Sequence, residues 1–356
     1  MAMALAAPNL HIPPSDTTVS VRIINTTSHI ANIPLSLLVS PRIHGFDTLT
    51  CPAYAFLIEH PSSRKLLFDL GVRKDHENLA PLVASRLRDS GWSISVEKDV
   101  RELLEENGVR PEEIEGIIWS HYHWDHVGDP STFGKNTALI VGPGFKEAFM
   151  PGYPADPQSP IRESDYAGRE LREISFSQGH KIGRFDAFDY FGDGSFYILD
   201  SPGHTIAHVC ALARVTTSPD SYIFMGGDAC HHCGEFRPSK YLPLPASIFP
   251  NPLDLKSSSP CPGAAFGPIL RGGHTREPIF TFAGPSAHDP EEAEKTIGKV
   301  MEADARRDVL VIMAHDETLL DVVDFFPKYA NDFREKGWVE KGRWLFLKDF
   351  AKAVTK

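Results

Sequence analysis

Ile114-Glu115-Gly116-Ile117-Ile118-Trp119-Ser120-His121-Tyr122-His123-Trp124-Asp125-His126 is the stretch on which the fold turns. Its first half is a short apolar run that reads as a buried strand. Its second half sets three histidines and one aspartate within six residues, at His121, His123, Asp125 and His126. Histidine and carboxylate are the ligands a hydrolytic metal site needs. A strand that ends in a sharply curved loop gives such ligands a rigid base. A lone histidine is ordinarily a core or surface residue, so the weight rests on the cluster.

Upstream, residues 19–24, 53–58 and 65–68 read as strands, the last running into Asp69-Leu70-Gly71. Residues 79–87 and 100–104 have the apolar spacing of helices, and 111–113 look like a short helical start. Downstream, 138–141, 195–199, 208–213, 222–225 and 309–313 read as strands. Residues 290–305 form an amphipathic helix with Glu291, Glu292 and Glu294 at its N-terminal end, where the helix dipole favours acids. A final helix is expected over 321–336, disturbed at Pro327. Strands that cluster before helices, twice over, suit two sheets packed face to face with helices outside. Further ligand candidates stand at later strand ends: His204 in Asp200-Ser201-Pro202-Gly203-His204-Thr205, Asp228 in Met225-Gly226-Gly227-Asp228, and His315 in Ile312-Met313-Ala314-His315.

The expected organisation is a loose N-terminal tail, 1–16, and one domain over 17–356 with insertions at about 149–172 and 235–282. The second insertion is rich in proline but also in apolar side chains, so it is expected to be an ordered cover over the active site. Phe236, Tyr241 and Phe249 are its candidates for holding a flat, hydrophobic substrate.

Composition shifts the weight among functions. Of 356 residues, 42% are hydrophobic and 23% charged, which is ordinary for a soluble globular protein with a large core. A net charge of −11 repels phosphate backbones and lowers the weight of nuclease or phosphodiesterase activity. Five cysteines at irregular spacing imply no disulfide framework and point to a reducing, cytoplasmic setting. No targeting leader or membrane-spanning run is read. The expected partner is a small molecule rather than nucleic acid or membrane, in a monomer or homodimer.

The cluster resembles the HxHxDH signature of the metallo-β-lactamase superfamily, and the resemblance extends from Asp69-Leu70-Gly71 to His315. It implies the αββα sandwich of that fold, an α/β class with two mixed sheets face to face. It also implies one metal held by His121, His123 and His204, a second held by Asp125, His126 and His315, and Asp228 bridging them. Asp69 matches an acidic position that supports the ligand loop. Two divalent ions so placed are expected to supply hydroxide from a bridging water and to polarise a carbonyl. Zinc is the default, and manganese, iron or cobalt suit the same ligands.

Within the superfamily the chain is similar to the acyl-homoserine-lactonase-like branch and its fungal relatives. The similarity is carried by Phe68-Asp69-Leu70-Gly71-Val72-Arg73-Lys74, by Gly128-Asp129, by the His204 segment and by Asp165-Tyr166-Ala167-Gly168-Arg169-Glu170-Leu171. This implies opening of a small cyclic ester, amide or carbamate of the benzoxazolinone type, an activity suited to xenobiotic detoxification. The lactonases resembled have a tyrosine three residues after the bridging aspartate, whereas His231 stands here. A histidine can donate a hydrogen bond or protonate a leaving amine, which tilts the expectation toward a lactam or carbamate. Asp125 and His231 are therefore the expected catalytic residues. Cys230 and Cys233 flank His231 and His232 and are read as thiols on a loop beside the metals. The rival enzyme reading is an acyl thioesterase on a carrier protein or CoA. The rival of another class is a metal-binding protein without turnover.

Overall fold

Alternation decides which way each strand faces. The computed structural model describes residues 5–177 and 179–355. In the first sheet, Val21, Ile23, Phe56, Ile58, Leu66, Phe68, Ile118 and Ile140 point to one face. Their neighbours Ile24, Ala55, Leu57, Leu67, Ile117 and Leu139 point to the other. Both faces are apolar, so the sheet must be covered on both sides.

That sheet runs β1 (Ser20–Asn25), β2 (Tyr54–Glu59), β3 (Lys65–Phe68), β4 (Ile114–Ile118), β5 (Ala138–Val141) and β6 (Leu171–Glu173), neighbours in that order. The first three strands pair antiparallel and the last four parallel. The second sheet runs β7 (His180–Ile182), β8 (Phe185–Asp189), β9 (Phe196–Asp200), β10 (Val209–Thr216), β11 (Ser221–Met225) and β12 (Val309–Ile312). It is antiparallel until β12, which joins β11 in parallel. Phe196, Ile198, Ala211, Ile223, Met225 and Ile312 meet the inner face of the first sheet and close the central core.

Helices seal the outer faces. On the first sheet lie α1 (Pro81–Ser90) and α2 (Val100–Glu106), with Leu87, Val100 and Leu104 in the shared cluster. Asp99 and Glu102 form a reciprocal cap at the start of α2. On the second sheet lies α3 (Pro290–Asp304), which buries Ala293, Ile297, Val300 and Ala303. Asp289 caps it by accepting from the Glu292 N–H. This is the expected αββα sandwich of two mixed sheets.

Three expectations fail. The segment 321–336 is not a helix. It runs along the open edge of β1 instead, where Phe326 N donates to Ile23 O at 2.7 Å and Ala330 N to Val21 O at 2.8 Å. Asn331 completes the edge by accepting from Val21 N and donating to Val19 O. An unpaired edge strand outcompetes helical propensity here. The N-terminal tail is not loose over its described part: Leu10 is buried in the core and its carbonyl accepts from Gly183 N. The proline-rich insertion does not cover the active site. Phe236, Ile248, Phe266 and Phe280 join the hydrophobic cluster on the outer side of the second sheet. A further small sheet, Ser28–Pro34 with Thr48–Cys51 and Ser93–Val96, stands beside the first and was not foreseen.

Candidate metal centre

The ligand loop leaves β4 and is pinned at both ends. Asp69, just past β3, donates its backbone N–H to Ile118 O at 2.8 Å. Its Oδ1 accepts from Ser120 N at 2.6 Å and its Oδ2 from His126 Nδ1 at 2.9 Å. Leu70 N donates to His126 O and Trp119 Nε1 to Val127 O, which closes the turn. Asp69 sits at φ +60°, a left-handed conformation that aspartate tolerates better than most residues.

The later ligands arrive from the second sheet. His204 follows β9 on a loop clamped by the start of α3, where His288 N donates to His204 O and Asp289 N to Gly203 O. Gly203 has φ +128°, and a Cβ there would lie 2.2 Å from Ala293 N, so the helix can approach only a glycine. Asp228 follows β11, and His315 follows β12. His208, expected only as the start of a strand, also serves the site. Its Nδ1 donates to Ser201 O at 3.0 Å, and its Nε2 accepts from Asp228 N at 3.1 Å.

All seven expected ligands converge. His121, His123, His204 and Asp228 form one group, and Asp125, His126, Asp228 and His315 a second. In each group the ligand atoms lie within 4.8 Å of one another, and Asp228 belongs to both. His315 Nδ1 donates to Pro52 O at 2.7 Å and His126 Nδ1 to Asp69, so each Nε2 presents a lone pair inward. Those two Nε2 atoms are 3.3 Å apart and lie 3.0 and 3.1 Å from Asp228 Oδ1. On the other side, His204 Nε2 is 3.2 Å from His121 Nε2 and 2.9 Å from His123 Nδ1. Buried lone pairs at such spacing repel unless positive charge sits among them. The nitrogen and carboxylate donors match divalent zinc-type ions, so the residues fit the metals that the motif implies.

The electrostatics agree. Burial holds His123 down to about 4. Burial and neighbouring rings hold His121 and His204 well below the ordinary imidazole range. Burial opposes charge on His126 too, but the Asp228 and Asp69 carboxylates outweigh it and push that ring up to about 10. His315 is raised well above its ordinary value, with Asp228 again outweighing burial. One half of the cluster thus offers neutral rings, and the other attracts positive charge strongly.

The cluster forms the floor of a cavity of about 690 Å³. The walls come from Ile33, Leu37, Leu38 and Leu49 on one side and from α1 with Trp92, Tyr122 and Trp124 on another. Ser286, Ala287 and His288 close part of the rim. The first insertion contributes Pro160, and its Phe149 packs against Tyr122 in a tilted pair with ring centroids 4.2 Å apart. The three substrate-contact candidates are not there. Phe236 is buried in the core, Tyr241 lies under Lys240 and Phe249 is exposed to solvent. Instead the second insertion backs the centre through Phe282, whose ring lies 5.0 Å from His231. The wall residues were missed because each looks like an ordinary core side chain. The one available signal was the apolar run from Ile33 to Val39 on a segment given no element.

His231 lines the cavity with Nε2 3.5 Å from Asp228 Oδ2. Burial lowers it to about 4. Glu235 Oε2 accepts from the backbone N–H of both His231 and His232, at 2.6 and 2.9 Å, and so sets their loop. Cys230 and Cys233 are both buried and unpaired, and Cys233 Sγ donates to Asp316 Oδ2.

Comparison with known proteins agrees with this geometry. Residues 49–215 match the family described as the metallo-beta-lactamase superfamily. The chain is 47% identical over 352 residues to Gamma-lactamase FDB1 of Fusarium pseudograminearum, covering 96% of this chain and 85% of that protein. It is 43% identical over 355 residues to cytochrome P450 monooxygenase mpaDE' of Penicillium brevicompactum. That match takes in 98% of this chain but 39% of the relative, so the chain spans about two fifths of it. A solved N-acyl homoserine lactone hydrolase, with the product N-hexanoyl-L-homoserine at its catalytic metal centre, shares the fold at TM-score 0.58 and 17% identity, covering 88% of this chain and 99% of that one. With the ligand cluster complete, the sandwich in place and a relative at 47% identity along nearly the whole chain, the protein belongs to the metallo-β-lactamase superfamily.

Proposed function

We propose that the chain is a hydrolase that opens a small cyclic amide, carbamate or ester at a binuclear metal centre. One observation carries this reading: two buried ligand groups share Asp228 on the floor of a largely apolar cavity. His121, His123 and His204 would hold one ion, Asp125, His126 and His315 the other, and Asp228 both. Zinc is the metal that this ligand set suits first. When bound, such ions supply an activated water near neutral pH and stabilise charge on a carbonyl oxygen.

The chain's own residues do the rest. Asp69 and the Pro52 carbonyl hold His126 and His315 in the tautomer that turns Nε2 inward. His208 holds the backbone of Asp228. The apolar walls bind the body of the substrate and keep bulk water from the reacting carbonyl. His231, neutral at physiological pH because it is buried, is suited to donating a hydrogen bond. Of the two roles expected from sequence, that favours the hydrogen-bond donor over protonation of a leaving amine. The gamma-lactamase name of the 47% identical relative favours the lactam and carbamate arm, including detoxification of benzoxazolinone-type compounds. The free thiols support a reducing, cytoplasmic setting.

The test joins metal analysis to a panel of lactones, lactams, benzoxazolinones and thioesters. The expected outcome is two metal ions per chain, ring opening, and loss of at least about a hundredfold in kcat/KM for Asp125→Ala and His121→Ala. Variants that keep both metal and full activity would refute the assignment.

A further inference from the structure

The cavity wall on α1 has an unusual composition. Leu82, Val83 and Leu87 follow helical spacing, yet only Leu87 is buried. Leu82 and Val83 are half-buried and face the cavity. Trp92 and Trp124 line it too, with ring centroids 6.2 Å apart. Such walls suit an apolar, preferably flat body.

Arg86 interrupts this surface. It stands four residues after Leu82 and three after Val83, so it shares their helix face. Among the described residues, it is the one lysine, arginine, aspartate or glutamate lining the cavity apart from Asp125 and Asp228. Most arginines near strands and loops of this chain have a carboxylate partner, as Arg64 has Glu115, Arg73 has Asp75 and Arg237 has Asp304. Among the described residues, the guanidinium of Arg86 has no hydrogen-bond or ion-pair partner. It lines the cavity together with Tyr122. The Tyr122 ring in turn lies 4.7 Å from the His123 ring. The cation therefore belongs to the flank of the cavity nearest the ligand loop.

A neutral apolar substrate gives such a group nothing to do. In a chain of net charge −11, this exposed guanidinium at the wall of an apolar cavity, without a carboxylate partner among the described residues, is open to an anion from outside. Guanidinium binds carboxylate through two parallel hydrogen bonds and fixes its orientation. We infer that Arg86 is a specificity-determining residue that pairs with a carboxylate on the substrate. The substrate class is then a hydrophobic ring lactam or lactone that carries an acid group away from the bond to be cleaved. This rests on the hydrolase reading above for the word substrate, and on the cavity alone for the pairing.

Equilibrium binding to the metal-loaded protein separates the two. The probes are indan-1-one, which has no bond to hydrolyse, the same ketone bearing a ring carboxylate, and coenzyme A. In the wild type the acid is expected to bind about tenfold tighter than the ketone. Arg86→Gln should reduce that preference to within about twofold, and Arg86→Lys should keep part of it. Leu82→Ala should weaken both ketones together and leave their ratio intact. A wild type with no preference for the acid, or a preference that survives in Arg86→Gln, overturns the inference. So does Arg86-dependent binding of coenzyme A without a preference for the acid, which would make the anion a phosphate. The expected pattern in a protein that opens no ring would uphold the pairing and sink the hydrolase reading instead.

Discussion

Asp69 shows how much one carboxylate can organise. It joins Ser120 N to His126 Nδ1 across the root of the ligand loop, and its own N–H is tied to β4. It is fully buried, so it competes with no water for either bond. Asp69→Ala is expected to lower metal affinity by about 10- to 100-fold while leaving the overall fold, since it frees the His126 ring to turn. Competition with a chelating dye measures this; an unchanged dissociation constant would mean the loop holds its ligands without help. His208 gives a second prediction. Burial holds this ring at about 3, against 6.5 for an exposed histidine. Between those values the unfolded chain binds a proton that the folded one refuses, so stability rises with pH and is lost as pH falls below 6.5. The slope from this residue alone is up to about 1.4 kcal/mol per pH unit. His208→Gln can still bridge Asp228 N and Ser201 O without titrating. Its urea midpoint should therefore fall less steeply than the wild type's between pH 7 and 5, and parallel lines would show that His208 is not held neutral.

Among the elements, α1 divides its apolar residues between two tasks. Leu87 is 8% exposed and packs on the first sheet while also touching the cavity, whereas Leu82 is half-buried and faces the cavity without joining that cluster. Leu87→Ala should cost about 2–4 kcal/mol of stability, the usual range for a buried leucine. Leu82→Ala should cost less than about 1 kcal/mol but raise KM for apolar substrates. Urea melts beside steady-state kinetics read both, and equal stability losses would place Leu82 in the core. This division explains what sequence could reveal. The ligand loop was legible because its chemistry is local: four ligand types in six residues have few other meanings. Strands such as Lys65–Phe68 and Ala138–Val141 were legible because burial on both faces leaves an unbroken apolar run. The cavity was not, because Leu82 and Leu87 look alike until the sheet takes one of them. The segment 321–336 departs from the expected helix for a similar reason. Periodicity in 321–336 suggested a helix, but the open edge of β1 and the Asn331 side chain offered partners that propensity does not report.

At the scale of the whole molecule, the candidate centre is a joint between two sheets. Asp69 and the loop from His121 to His126 extend from β3 and β4 of the first, and His204, Asp228 and His315 from β9, β11 and β12 of the second. Each ligand lies past the C-terminal end of its strand, so two apolar sheets present their polar groups along one shared rim. Cations bound there would tie the layers together at a place where the protein alone brings like groups into contact. His126 Nε2 and His315 Nε2, 3.3 Å apart, come from different sheets. Removal of the metals should therefore cost more than the site's own order. A ligand present at a hundred times its dissociation constant stabilises the folded state by about 2.7 kcal/mol. For a chain of this size, that predicts a fall in Tm of roughly 3–4 °C for each ion lost on chelation, reversed when zinc is returned. Hydrogen exchange should rise at 120–126 and 228–231, with little change at Tyr54–Glu59 in the core of the first sheet. If chelation empties the centre, by direct metal analysis, and neither Tm nor exchange moves, then the hydrophobic contact between the sheets already holds the rim closed, and the repulsion among these histidines is relieved by protons rather than by metal.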